Sequence, residues 1–133
     1  MQSNLCPCQS GKNYNECCQP YHKNFNAPTA EALMRSRYSA YAKGLTEYII
    51  ATAHPKQLLN RPNYKKEIEL FAKNTLFEGL EVLKVEEGPE MSFVTFLAHL
   101  RQGQQDISFK EKSRFIKENE KWLYIDGIID PKE

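Results

Sequence analysis

The first half of the chain has the hydrophobic periodicity of helices. Between Thr29 and Gly44, apolar residues recur every three or four positions, which predicts an amphipathic helix over Ala30–Lys43. Thr29 suits the N-cap because its hydroxyl can accept a hydrogen bond from a free amide of the first turn, and Gly44 suits the C-terminal stop. Two further helices are expected over residues 47–54 and 64–73, with Thr46 and Asn63 as their N-caps.

After Asn74 the pattern changes to that of strands. Four segments are rich in β-branched and aromatic residues and are separated by short polar turns, which is typical of hairpins. These segments are residues 76–86, 92–101, 107–117 and 122–129. Helices followed by closely linked strands predict an α+β fold, in which the helices pack on one face of an antiparallel sheet.

The third predicted strand carries a possible polar site. Because side chains alternate along a strand, Glu111 and Ser113 share a face with Phe109 and Phe115. If the phenylalanines face the helices, the opposite wall is formed by Arg35, Arg37, Tyr38 and Tyr41. These residues either line a cavity that a substrate can enter, or include a salt bridge from Glu111 to one of the two arginines. We favour the salt bridge, since paired buried charges are commonly structural.

Composition and charge restrict the functional classes. A chain of 133 residues suits one compact domain with a small appendage, and 41% hydrophobic with 26% charged residues is the composition of a folded soluble domain. The net charge of +1 indicates no general affinity for nucleic acid or for an anionic membrane. The sequence has no apolar run long enough to span a bilayer and no signal-peptide pattern at its N-terminus, so we expect a cytoplasmic protein.

All four cysteines lie close together near the N-terminus, as Cys6-Pro7-Cys8 and Cys17-Cys18. In a reducing compartment such a cluster favours a metal site over disulfides. Four thiolates about 2.3 Å from one ion make the closed tetrahedral site of structural zinc, which has no open position for chemistry. The alternatives are two disulfides or four unbound thiols. His22 is a spare ligand candidate, but four thiolates already complete the shell.

The cysteine segment resembles the SEC-C motif, a short zinc-binding module best known at the C-terminus of the SecA preprotein-translocase ATPase. The matching residues are Cys6, Cys8, Ser10, Gly11, Lys12, Tyr14, Cys17 and Cys18. Gln9 stands where the motif usually has glycine, and Cys18 takes the place of a histidine seen in many SecA copies. The resemblance implies a structural Zn²⁺ on the four cysteines. It also implies a protein-facing role, because SEC-C in SecA contacts a chaperone and the ribosome.

The remainder of the chain resembles the bacterial YchJ family. The matching segments are residues 33–41, 54–55, 113–115 and 122–127. Members of this family join an N-terminal SEC-C motif to a nuclear transport factor 2-like (cystatin-like) domain, a cone of helices against a curved antiparallel sheet. We therefore expect a zinc knuckle over residues 1–25 and the α+β domain over residues 26–133. Many members carry a second SEC-C motif, whereas residues 19–133 of this chain contain no cysteine. The family has no established biochemical activity.

Three functional hypotheses follow. In the first, which we prefer, the zinc knuckle docks on an unknown protein partner through Lys12, Tyr14, Asn15 and Lys23. Tyr14 has a second interpretation, packing over the zinc site. In the second, the cone binds or transforms a small molecule, which requires an open cavity reached by Glu111 and an arginine. The third, nucleic-acid binding, is disfavoured by the neutral charge. The sequence contains no recognisable catalytic constellation, so no catalytic residue is assigned.

Overall fold

In the computed structural model, residues 4–59 and 61–130 are described. A short 3-10 helix at Tyr14–Glu16 is followed by five α-helices: α1 (Gln19–Asn24), α2 (Ala30–Lys43), α3 (Thr46–Ala51), α4 (Pro55–Leu58) and α5 (Tyr64–Asn74). Five strands complete the chain: β1 (Leu76–Glu86), β2 (Met91–Gln102), β3 (Gln105–Asp106), β4 (Phe109–Glu118) and β5 (Lys121–Asp130). Among the described residues, no helix is both long enough and apolar enough to cross a membrane.

The predicted boundaries of α2 are confirmed. Thr29 is the N-cap, and its Oγ1 accepts a hydrogen bond from the backbone amide of Ala32 at 3.0 Å. Gly44 ends the helix with a φ of 73°, the left-handed region that favours glycine. Both signals are local, so they operate without help from the rest of the fold.

The next helix ends earlier than the sequence predicts, at Ala51 rather than at residue 54. The cause is β5, because Tyr124 donates its amide to the carbonyl of Thr52 at 2.9 Å and accepts the amide of His54 at 2.8 Å. Because Thr52 and His54 form these hydrogen bonds with β5, the chain leaves the helical conformation after Ala51. The following residues form the one-turn α4 instead of a loop, and His54 Nδ1 caps it by accepting the amide of Lys56 at 3.1 Å.

The strands form one antiparallel sheet in the order β1-β2-β4-β5, with β3 paired to the end of β2. Register shifts interrupt the β1–β2 ladder near Gly79 and Lys84, and the β4–β5 ladder after Arg114. Irregularities of this kind bend and twist a sheet. The helices cover one face of this curved sheet, so the predicted α+β architecture is confirmed.

Helix α2 is the centre of the core. Its Leu33 and Tyr38 are buried together with Val94, Phe96 and Phe115 of the sheet. The Tyr38 hydroxyl donates to the carbonyl of Gly79 at 2.9 Å and lies 3.1 Å from the amide nitrogen of the same residue. Helix and sheet are therefore joined by hydrogen bonds as well as by apolar packing.

The N-terminal cysteine segment packs against the other side of α2. The Arg35 guanidinium donates to the carbonyl of Cys8 at 2.8 Å, and His22 Nε2 lies 2.8 Å from the carbonyl of Ser36. Cys6 and Cys18 belong to the same buried cluster as the core residues of α2. The two parts of the chain thus share a core, and their division at residue 25 stays a prediction.

Candidate functional site

The cysteines are brought together by two tight turns. The amide of Cys6 donates to the carbonyl of Lys12 at 2.8 Å, so the chain reverses between them. Gln9 and Gly11 occupy this reversal with φ values of 67° and 90°. Gln9 therefore adopts a left-handed conformation at the position where the SEC-C motif usually has glycine, which can adopt it without a steric cost.

The second turn lies at the adjacent cysteine pair. Cys17 follows the 3-10 helix with φ −124° and ψ −94°, outside the helical region. Cys18 then precedes the first residue of α1. This change of backbone direction between neighbouring residues allows both thiols to face one point.

The four sulfur atoms lie within 4.8 Å of one another. Cys8 Sγ is 3.6 Å from Cys17 Sγ, which is 4.0 Å from Cys18 Sγ. A tetrahedron with bonds of about 2.3 Å has edges of about 3.8 Å, so the spacing fits one tetrahedral ion. All four cysteines are free thiols, and three of them are buried, with Cys17 half-exposed. This cluster can bind a metal ion in a closed site.

The electrostatics of the cluster favour a cation. Hydrogen bonds from the Cys18 and Cys8 thiols lower the pKa of Cys6. The pKa of Cys18 is raised by its hydrogen bonds to Cys6 and Cys8 and by burial. Thiols this close cannot all ionise without a positive charge between them, and a dication would displace their protons. Two hydroxyls support the sulfurs, with Ser10 Oγ 3.1 Å from Cys17 Sγ and Ser39 Oγ 3.7 Å from Cys6 Sγ.

His22 lies outside the sulfur cluster. Its Nδ1 is 2.6 Å from the Tyr14 hydroxyl, and its Nε2 faces the carbonyl of Ser36. Burial lowers the pKa of the imidazole. His22 therefore joins the knuckle to α2 rather than completing a ligand set, a role that the sequence does not reveal because Ser36 lies on another helix.

The candidate partner residues divide into two groups. Lys12, Asn15 and Lys23 are exposed. Tyr14 is half-buried, with its hydroxyl on His22 and with the Lys43 Nζ atom 4.2 Å from its ring centroid. Tyr14 thus makes internal contacts, whereas the other three candidates belong to the exposed surface of the knuckle, which also includes Gln9, Asn13 and Glu16.

A cavity of about 490 Å³ lies between α2, α5 and the helix-covered face of the sheet. Five of the six residues considered for it line its walls: Arg37, Tyr38, Tyr41, Glu111 and Ser113. Arg35 does not, and its guanidinium contacts Glu31 Oε2 at 3.1 Å and the Cys8 carbonyl instead. The reason is helical geometry, because a residue two positions from Arg37 points about 200° around the helix.

The predicted salt bridge of Glu111 to Arg35 or Arg37 is wrong, since no ion pair joins Glu111 to an arginine in the described chain. Glu111 Oε2 accepts hydrogen bonds from Ser113 Oγ at 2.5 Å and from the Tyr124 hydroxyl at 3.0 Å. Arg37 Nη1 donates to the Ile49 carbonyl and to Thr52 Oγ1, both at 2.8 Å.

Tyr124 is the residue that the sequence analysis missed. The Arg37 Cζ atom lies 4.8 Å from its ring centroid, while its hydroxyl donates to Glu111. Burial raises the pKa of Tyr124, and the Glu111 carboxylate raises it further, so the phenol stays protonated and donates. In the sequence, Trp122 and Tyr124 alternate with Leu123 and Ile125, so one pair should face the core, but the pattern does not show which.

Gly127 makes room for the Glu111 carboxylate. It pairs with Ser113 across the β4–β5 ladder, and a Cβ atom at Gly127 would overlap the carboxylate oxygen of Glu111. The absence of a side chain at Gly127 therefore leaves space for the Glu111 carboxylate where it accepts the hydrogen bond of the Tyr124 hydroxyl.

Comparison with known proteins places the two parts of the chain in one family. The family model described as YchJ, middle NTF2-like domain, matches residues 29–127, and the SEC-C motif matches residues 3–20. A UPF0225 protein of Vibrio parahaemolyticus is 38% identical in an alignment 133 residues long, which covers 96% of this chain and 77% of that protein. A UPF0225 protein of Serratia proteamaculans is 40% identical over 128 residues, covering 92% and 82% of the two chains.

Two solved structures have the same fold. The solution structure of a SEC-C motif containing protein from Rhodopseudomonas palustris has a TM-score of 0.82 and 34% identity, and the alignment covers 92% of this chain and 96% of that one. The crystal structure of a SEC-C motif containing protein from Psychrobacter arcticus has a TM-score of 0.78 and 30% identity, covering 100% and 85%. The chain belongs to the YchJ family, with a SEC-C motif followed by an NTF2-like domain.

Proposed function

We propose that the cysteine cluster binds one structural Zn²⁺ through Cys6, Cys8, Cys17 and Cys18. The observation that carries this proposal is the convergence of four sulfur atoms within 4.8 Å at a largely buried point. Thiolate ligands select soft or borderline ions, and a closed four-sulfur tetrahedron is the usual geometry of structural zinc. With all four ligands supplied by the protein, the ion would stabilise the knuckle and perform no chemistry. A reducing cytoplasm, which we propose as the location, keeps these thiols available.

The first experiment measures zinc per chain by elemental analysis, on protein purified under reducing conditions without a metal-affinity tag. We expect about one zinc per chain for the wild type and a lower content for Cys17→Ser. The matched control is Ser10→Ala, which removes a hydroxyl near the Cys17 sulfur but no ligand. A wild-type protein with four free thiols and no metal would contradict the zinc assignment.

We further propose that the metal-bound knuckle is a protein-interaction module. Lys12, Asn15 and Lys23 are exposed on it, while the internal hydrogen bonds of His22 and Arg35 hold it on α2. A small rigid surface loses little conformational entropy on docking, which favours binding. The two lysines suit an acidic partner surface, whereas the net charge of +1 gives little support for nucleic acid.

The test is affinity capture from native lysate with three baits: wild type, Cys17→Ser, and a triple variant with Lys12, Asn15 and Lys23 changed to alanine. We expect a specific partner with wild type only. The triple variant retains all four cysteines and therefore separates loss of the surface from loss of the metal. A partner retained by both variants would place the interaction elsewhere on the molecule.

A second candidate function is small-molecule binding in the cone. The observation that favours it is the cavity of about 490 Å³ reached by both Glu111 and Arg37. Ligand sites are typically apolar cavities of this size with a few convergent polar groups. Binding by this cavity does not compete with docking by the knuckle, because the two use different sides of α2.

A further inference from the structure

Two opposite charges face the cavity without an ionic partner. Arg37 is 7% exposed and Glu111 is 9% exposed, and both line the cavity wall. Neither is in an ion pair within the described chain. Instead, the Arg37 guanidinium lies over the Tyr124 ring, and the Tyr124 hydroxyl donates to Glu111. Burying an unpaired charge is unfavourable, so two such groups in one cavity require an explanation.

Each group also has unused hydrogen-bonding atoms. Arg37 bonds only through Nη1, and Glu111 only through Oε2. Within residues 4–59 and 61–130, no fully buried side-chain nitrogen or oxygen lacks a partner. The unbonded Arg37 Nε and Nη2 and the unbonded Glu111 Oε1 are therefore not sealed in the core. Both residues line the cavity, so a molecule bound there would lie beside these donors and this acceptor.

The rest of the wall is apolar and largely aromatic. Nine aromatic side chains line it, including Tyr41, Phe71, Phe77 and Phe96. At the rim, Arg61 and Glu67 are exposed and neutralise each other at 3.0 Å. The cavity thus combines a large apolar surface with one unpaired cation and one unpaired anion.

We infer that the cavity binds a zwitterionic α-amino acid with an aromatic or large aliphatic side chain. Its carboxylate accepts from the free nitrogens of Arg37, its ammonium donates to Glu111 Oε1, and its side chain packs on the aromatic wall. A simple carboxylic acid would leave Glu111 unpaired beside a second negative charge, and a simple amine would do the same to Arg37. Only a ligand with both charges satisfies both groups.

This inference rests on the second candidate function, and the experiment separates the two. The metal-bound full chain is titrated by calorimetry with L-phenylalanine, with 3-phenylpropanoate, which lacks the ammonium, and with 2-phenylethylamine, which lacks the carboxylate. We expect phenylalanine to bind at least about tenfold more tightly than either analogue. Equal affinity of either analogue and phenylalanine, or no phenylalanine binding, would overturn the inference.

Two variants assign the contacts. Glu111→Gln should reduce the preference for phenylalanine over 3-phenylpropanoate to about twofold or less, because the ammonium loses its partner, and should leave the preference over 2-phenylethylamine unchanged. Arg37→Gln should reduce the preference over 2-phenylethylamine and leave the preference over 3-phenylpropanoate unchanged. Because Arg37 also holds Ile49 and Thr52, its replacement can disturb the fold, so Glu111→Gln is the decisive variant. The control is Glu81→Gln, an exposed glutamate paired with His99 outside the cavity wall, which should bind like the wild type.

A neutral apolar probe, the fluorescent N-phenyl-1-naphthylamine, tests the cavity itself. If the probe binds and phenylalanine does not displace it, small-molecule binding by the cavity is supported, but the inference of a zwitterionic ligand is overturned. If neither the probe nor any of the three titrants binds, both the small-molecule function and the inferred ligand are contradicted. Displacement of the probe by phenylalanine in the wild type, weakened in Glu111→Gln, supports the inference.

Discussion

The two sides of helix α2 face opposite kinds of site. On one side, the knuckle is bound through Arg35, Ser36 and Ser39, which contact Cys8, His22 and Cys6. On the other side, Arg37 and Glu111 approach a cavity with atoms that no part of the described chain satisfies. The contacts that hold the knuckle on α2 are made within the chain, whereas atoms of Arg37 and Glu111 at the cavity have no partner in the described residues.

Under the functions proposed above, this difference separates a structural metal site from a ligand-binding site. A cluster whose four ligands come from the protein has no position left for a substrate, and its metal contributes to folding. A cavity with unpaired buried charges reduces stability until a ligand pairs them, which is the usual compromise at functional sites. The same helix can serve both because residues one or two positions apart on it point in different directions.

The largest expected effect comes from breaking the metal side with Cys17→Ser. Removing a ligand should weaken metal binding by at least about a hundredfold, since changes outside the ligand set alone reach that size. We expect residues 4–25 to lose protection from amide hydrogen exchange while residues 30–130 retain theirs. The control is Ser10→Ala, which removes a hydroxyl beside the Cys17 sulfur but keeps all four ligands, so it should weaken metal binding less and retain the protection at saturating zinc. Loss of protection throughout the chain would show that the knuckle and the α+β domain fold as one unit.

The next effect comes from breaking the cavity side with Gly127→Ala. The added Cβ overlaps the Glu111 carboxylate, so the free energy of unfolding should fall by about 1–3 kcal/mol, as in other overpacked sites. Urea unfolding measures the change. In a Glu111→Ala background the same substitution should have a much smaller effect, because the carboxylate is gone. An equal loss in both backgrounds would contradict the proposed overlap.

Glu111→Gln sharpens the comparison by removing the charge and preserving the shape. The amide oxygen can still accept from Ser113 and Tyr124, and no salt bridge is lost. We expect the free energy of unfolding to stay unchanged or to rise by up to about 1 kcal/mol. Thermal unfolding beside the exposed control Glu81→Gln measures it. A clear loss of stability would instead show that the charge of Glu111 strengthens its hydrogen bonds from Ser113 and Tyr124 enough to stabilise the fold.

The smallest effect is expected on the metal side from Gln9→Gly. The left-handed conformation costs a non-glycine residue about 1–2 kcal/mol, and glycine's greater freedom in the unfolded chain offsets part of this gain. The net stabilisation should be below about 1 kcal/mol, read from hydrogen exchange in residues 4–25. The matched variant Gly11→Ala, at φ 90°, should have the opposite sign. Effects of the same sign in both variants would rule out backbone strain as the cause.

The sequence predicted best those features that depend on neighbouring residues. Helix α2 begins after Thr29 and ends at Gly44 as expected, because a cap depends only on the adjacent turn of the helix. The sequence predicted α3 less well because the end of that helix depends on Tyr124, far along the chain. Arg35 was predicted to line the cavity for a similar reason. Helix α2 packs against other elements on several sides, and its sequence does not show which element each side contacts.

The sequence by itself determined the four-cysteine cluster and the order of helices and strands. Both follow from short-range spacing, since all four candidate ligands lie within 13 consecutive positions and the periodicities of helix and strand are local. Only the tertiary structure decided that Tyr124 contacts both Arg37 and Glu111 and that both of these charged residues line a cavity. The partners of a buried charge are chosen by the packing of distant elements, which no local pattern specifies.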